Sequence, residues 1–285
     1  MSFGHWQLQP LQVGPVLLLA AGYRWRVRQL AERGRPVGRG RQAAFYSGLL
    51  VMLVALVSPL DWLGEEKQLW VHMVQHLLLG DLAPLLVVLG LTGAVLRPAL
   101  SIGAIRRLRP LAHPLVALPL WTINLFVWHI PALYQAALRS TGIHALQHLL
   151  FFSCGALMWA AVIEPLPGPA WFTGGWKAVY TLAVRAAGTV LANIFIWAHQ
   201  PFYSYYVERQ HSVSSALSDQ RAAGAIMFIE GGVVTMLAFA WIFLRYTQET
   251  ELRQRLVEAE VDEERAERAA RYGRSVRLRD VGGAG

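Results

Sequence analysis

The sequence predicts an all-α polytopic membrane protein: a bundle of seven transmembrane helices, N-terminus outside and C-terminus in the cytoplasm. Three observations carry this. Of 285 residues, 55% are hydrophobic and only 15% charged, whereas a soluble domain carries nearer a quarter charged. The charges are clumped, leaving apolar stretches of the roughly 20 residues that a spanning helix needs. The basic residues gather in two short loops: Arg24 to Arg41 holds seven arginines and one glutamate, and Arg97 to Arg109 holds four arginines and no acid. A disordered chain and most soluble enzymes are thereby excluded. So is nucleic-acid binding, despite a pI near 10, because the basic charge is spent on membrane topology. Cys154 is the single cysteine, so neither a disulfide framework nor a cysteine-rich metal site is expected.

The spans follow in order. Leu8 to Tyr23 is short and is extended by the snorkelling of Arg24, Arg26 and Arg28. Nothing basic precedes Arg24, so no cleavable signal peptide is expected. Ala43 to Leu60 ends at Ser58-Pro59, and an acidic loop with Asp61, Glu65, Glu66 and Lys67 follows. Gln68 to Gly90 is the third span, Leu111 to Leu133 the fourth, His144 to Ile163 the fifth, Lys177 to His199 the sixth and Ala222 to Tyr246 the seventh. The two arginine loops follow the first and third spans and so face the cytoplasm. Residues 1–246 are then the transmembrane domain and 247–285 a charged cytoplasmic tail, part helical. Glu249/Arg253, Glu251/Arg255, Glu264/Arg268 and Glu267/Arg271 are four apart and predict a solvated helix there.

This orientation gives each histidine a depth. His72 and His76 lie near the outer end of the third span, and His144 and His148 open the fifth. Each pair is spaced i,i+4 and therefore shares a helix face. His129 closes the fourth span and His199 the sixth, at the same outer level. Trp70, Trp128 and Trp197 mark that level as an aromatic belt. Paired imidazoles on one face suit copper, zinc, iron or nickel. The first four histidines are the expected core of a metal or haem site, with His129 and His199 flanking. Met227, at the depth of His76, would complete a His/Met set of the kind copper favours.

Five further polar groups belong to this reading. Asp219 and Gln220 are expected to cap the outer start of the seventh span and help orient the histidines. Asp81, Arg185 and Glu230 fall at one level inside the bilayer, where an isolated charge is costly, so Arg185 is expected to be neutralised by one or both acids.

The residues also resemble a known family. His72-Met73-x-Gln75-His76-x-Leu78, running through Pro84-Leu85-Leu86 to Leu89-Gly90, is similar to the CtaG-type cytochrome c oxidase assembly factors. So are Trp128-His129-x-Pro131-x-Leu133-Tyr134, His144-x-x-x-His148 with Trp159, and Asp219-Gln220-x-x-Ala223-Gly224-x-x-Met227. Leu91-Thr92-Gly93, Phe228 and the long charged tail depart from the pattern. The resemblance implies a seven-helix protein of a bacterial-type plasma membrane that binds copper at its outer face and aids its delivery to the oxidase copper centre. Its implied partners are oxidase subunits, a periplasmic or extracellular copper carrier, and membrane lipids, with no nucleic acid. No enzymatic activity is expected. A bis-histidine haem b electron carrier and a metal- or proton-coupled transporter are the alternatives. A retinal protein is excluded, since Lys67 and Lys177, the only lysines, stand at span ends.

Overall fold

The computed structural model describes residue 6 and residues 10–272. His5 and the start of the first predicted span lie outside the described residues. All regular structure there is helical. Helix α1 (Pro10–Glu32) is followed by α2 (Arg39–Val57) and a short α3 (Pro59–Glu66). Pro59 separates these two, and Ser58 caps α3 by accepting from the amide of Leu60. The third predicted span is continuous but composite: α4 (Leu69–Leu77), a π turn (Leu78–Leu82) and α5 (Ala83–Gly90). The short α6 (Gly93–Ser101) and α7 (Gly103–Leu108) carry the second arginine loop toward α8 (Pro114–Trp128). Then come α9 (Pro131–Arg139), α10 (Thr141–Ile163), α11 (Gly174–Ile196), α12 (Ser204–Gln210), α13 (Val213–Glu258) and α14 (Glu263–Tyr272).

Five helices among the described residues are long and apolar enough to cross a membrane: α2, α4–α5, α10, α11 and α13. A sixth is reached if Gly103–Ala112 and Pro114–Trp128, bent by 85° at His113, form one span. The protein is thus a multi-pass membrane protein. The predicted fourth span, Leu111 to Leu133, is interrupted at both ends, because Pro114 opens α8 and the Ile130-Pro131 step starts α9 afresh.

The bundle packs α11 against α13, α2 against α5, and α10 against both α8 and the π turn. Small residues permit the approach, as is usual between membrane helices. A Cβ on Gly224 of α13 would lie 2.7 Å from the Ala192 carbonyl of α11, and one on Gly48 of α2 would lie 2.8 Å from the Val87 amide of α5.

The tail differs from the free helix expected. α13 continues without a break to Glu258, and α14 turns back onto it over Leu256, Val261, Ala266 and Ala269. Glu264–Arg268 and Glu251–Arg255 pair as predicted. Glu249 instead bonds Arg245, Arg253 crosses to Glu263, and Arg271 leaves Glu267 for the buried Glu164. The Glu164 carboxylate gathers Arg271 at 2.6 Å and Lys177 at 2.9 Å. A buried acid so placed outcompetes any solvated i,i+4 partner.

Candidate metal centre

The site is built at the end of the bundle where α4 and α10 begin. The i,i+4 spacing places His72 over His76 on α4 and His144 over His148 on α10, and the two helices face each other. Ring centroids are 5.3 Å apart for His72–His144 and 5.5 Å for His76–His148. One ligand atom from each of the four histidines lies within 4.8 Å of the others. All four side chains are buried.

Three short helices close this end and hold the rings. Glu65 of α3 lies 2.5 Å from Nδ1 of His144. The carboxylate accepts a hydrogen bond from Nδ1–H, which leaves the His144 Nε2 lone pair turned inward. Nδ1 of His72 lies 2.9 Å from the hydroxyl of Tyr134 on α9 and 3.1 Å from that of Tyr206 on α12. Tyr206 donates its own proton to the Gly64 carbonyl at 2.7 Å, so its oxygen is an acceptor for the His72 ring. Burial pushes both phenols well above the usual tyrosine range, and they remain protonated. Gly64 is required by the approach itself, because a Cβ there would stand 2.9 Å from Cα of His72.

The donor set fits a metal ion. Two nitrogens bound about 2.0–2.1 Å from one tetrahedral ion stand about 3.3–3.4 Å apart. Nε2 of His72 and Nε2 of His144 are 3.3 Å apart. Both nitrogens of His76 and Nε2 of His148 are buried without a hydrogen-bond partner among the described residues. An unsatisfied buried polar atom costs about 1–3 kcal/mol, so an unpaired imidazole set at one point is matched to a ligand.

The remaining expected residues divide around this group. His129 lies beside it against Phe151 and Tyr134, buried, with Nδ1 2.7 Å from the Leu125 carbonyl. His199 is exposed in the turn after α11 and is not brought to the four histidines. Gln220 is buried and accepts from the Phe202 amide at 2.7 Å, bracing the segment between α11 and α12.

Asp219 does not cap its own helix, where Ser212 fills that role. Instead it accepts from the amides of Leu69 and Trp70, at 2.8 and 3.1 Å, and from Gln210 at 2.6 Å. It therefore caps α4, the helix that carries His72 and His76, and bonds backbone rather than an imidazole. The carboxylate on a histidine is Glu65, from the acidic segment between the second and third predicted spans. An acid within reach of the histidine-bearing spans was the available signal.

Below the histidines a cavity of about 90 Å³ is lined by His76, His129, Met227, Asp81, Arg185 and Glu230, among others. The π turn positions Asp81: its i→i+5 bond, from the Ala83 amide to the Leu78 carbonyl, brings Asp81 back toward the face of His76. Trp159 donates to Asp81 at 2.6 Å, and Asp81 and Glu230 line the same cavity. Arg185 lines the same cavity and makes no ion pair with either acid. It donates to the Phe228 carbonyl at 2.6 Å and lies over the Phe228 ring at 4.7 Å. In place of the expected direct contact with an acid, Arg185 has a carbonyl and a ring face, and Asp81 is engaged by Trp159.

The family model described as cytochrome c oxidase caa3 assembly factor (Caa3_CtaG) matches residues 21–249. The chain belongs to that family. The match begins within α1, covers α2 to α12 with all four clustered histidines and the acids beneath them, and stops within α13 before α14 begins. No curated protein and no solved structure matches the chain.

Proposed function

We propose that this caa3-type oxidase assembly factor binds copper as cargo through His72, His76, His144 and His148 and aids its delivery to the oxidase copper centre. The carrying observation is the 3.3 Å separation of the His72 and His144 Nε2 atoms within a buried group of four imidazoles. In this reading the chain has seven spans, with α1 as the first and α8 as the fourth. The N-terminus and the histidine end face outward, and residues 247–285 form the cytoplasmic tail. The positive-inside bias of the two arginine loops supports that orientation. The membrane is a bacterial-type plasma membrane, the receiving partner is the oxidase, and an outer-face carrier supplies the ion. The role is one of assembly rather than turnover.

The roles of the chain's residues follow from their contacts. His72 and His144 are fixed by the tyrosines and by Glu65, so each presents one nitrogen without rearrangement. His76 and His148 are held only by packing and are the ligands freest to turn. Such a split, two rings anchored and two released, suits a site that must both hold and yield an ion. A haem b reading has less support, since ring centroids only 4.1–5.5 Å apart leave no slot for a porphyrin between helices.

Protein purified from copper-replete cells is expected to contain copper and to lack a Soret band. His76→Ala and His148→Ala are each expected to lose the copper held by the four histidines and to abolish oxidase assembly. Normal copper content and assembly in both variants would overturn the reading.

A further inference from the structure

The cavity below the histidine group contains chemistry that the four-histidine site does not use. His129 is the centre of it. Its Nδ1 lies 2.7 Å from the Leu125 carbonyl, so that nitrogen carries the ring proton and Nε2 carries the lone pair. That Nε2 is wholly buried and has no hydrogen-bond partner among the described residues. An imidazole tethered through one N–H to a backbone carbonyl, its other nitrogen free and buried, is the usual arrangement of a metal ligand.

Two soft donors share the cavity with it. Met73 and Met227 line the same cavity, are buried to within 1% and 9% exposure, and pack in one cluster with Phe195 and Leu125. Phe195 also lies against the His129 ring at 5.7 Å. Thioether sulfur is a soft donor that selects monovalent copper over harder ions. Asp81, Glu230 and Arg185 also line the cavity, and an ion inside the bilayer requires such polar company. The volume, about 90 Å³, holds an ion and a few waters but not a ligand of drug size.

We infer that the cavity is a second, deeper copper site, selective for Cu(I) and formed by His129 Nε2 with the thioethers of Met73 and Met227. His76 belongs to the upper group and also lines this cavity, so it is the shared wall between the two sites. The inference rests on the proposed function only in taking copper as the ion; its donors are separate from the other three histidines. No change of oxidation state is involved, because the lower site is defined by its affinity for Cu(I) as supplied.

The test is anaerobic titration of the full-length protein with Cu(I) against a chromophoric Cu(I) chelator, together with X-ray absorption at the copper edge. The wild type is expected to show sulfur scattering alongside nitrogen. Met73→Leu/Met227→Leu, a volume-conserving pair, is expected to lose one equivalent and all of the sulfur signal. His129→Gln should lose the same equivalent. His72→Ala/His148→Ala should lose upper-site copper but keep the sulfur-bound ion, so failure of the upper site and failure of the lower one read differently. Nitrogen-only scattering in the wild type, or an unchanged stoichiometry and spectrum in the methionine variant, would overturn the inference.

Discussion

At the scale of single residues, the histidines matter less by their number than by what holds each ring. Glu65 takes the outer nitrogen of His144 at 2.5 Å. Removing a carboxylate in this position typically lowers metal affinity by about 10- to 100-fold. Glu65→Gln is expected to do so in competition with a chelator, with helicity by circular dichroism unchanged; undiminished affinity would leave Glu65 a loop acid only. His199→Ala, at an exposed position, serves as the silent control. Asp61 offers a pH-dependent counterpart. Burial, reinforced by Glu65, pushes its carboxyl up to about 6 from an ordinary 3.8, against the pull of the Gln75 amide 2.5 Å away. The folded protein thus holds this proton more tightly than the unfolded chain does. Its stabilising contribution is complete below about pH 4 and is lost as pH rises through about 6. Metal-free Asp61→Asn keeps an acceptor for Gln75 and cannot ionise. Its melting temperature is expected to fall less than that of wild type between pH 4 and 7. Parallel pH curves would show that Asp61 ionises without cost.

At the scale of elements, Asp219 ties the first turn of α4 to α13. Loss of such a cap costs about 0.5–2 kcal/mol, and the first turn of α4 leads directly into His72. Asp219→Ala is therefore expected to lower the thermal midpoint in detergent by a few degrees and to weaken ion binding as well. A lower midpoint with unaltered binding would confine Asp219 to stability. The same residue marks the boundary of what the sequence makes legible. The His72/His76 and His144/His148 pairs could be read directly because an i,i+4 relation is contained within one helix. The span limits of α10 and α11 came within a few residues for the same reason. The contacts of Asp219 with Leu69 and Trp70, and of Tyr206 with His72, join positions far apart in the chain. Periodicity carries no information about those. Nor did it reveal the π turn, where one extra residue per turn leaves the hydropathy unchanged while moving Asp81 onto the cavity. The spacing showed that four imidazoles share a level; only tertiary packing shows that Glu65 and the tyrosines aim two of them.

At the scale of the whole molecule, the two ends of the bundle are joined by α13. Arg271 of α14 reaches the buried Glu164 carboxylate and the carbonyls of Pro169, Ala170 and Phe172. Truncating one partner of a buried pair is strongly destabilising where it acts. Arg271→Ala is expected to release α14, making the break at Ala259–Asp262 cleavable in limited proteolysis while ion affinity is retained. Resistance equal to wild type would mean that the apolar contacts of α14 suffice. The 46 residues of α13 measure about 69 Å at 1.5 Å per residue, more than twice a hydrocarbon core of about 30 Å. Its Asp219 grips α4 at one end, and its Arg245 bonds the Ile163 and Arg271 carbonyls at the other. These two points are about 39 Å apart along the rod. A tilt of about 5° about the lower point swings the upper one by about 3 Å, more than the hydrogen bonds to Leu69 and Trp70 can span. Helices adjust to lipid thickness by tilting. The bilayer is then part of the coordination chemistry, and its thickness a quantity on which the grip on the ion depends.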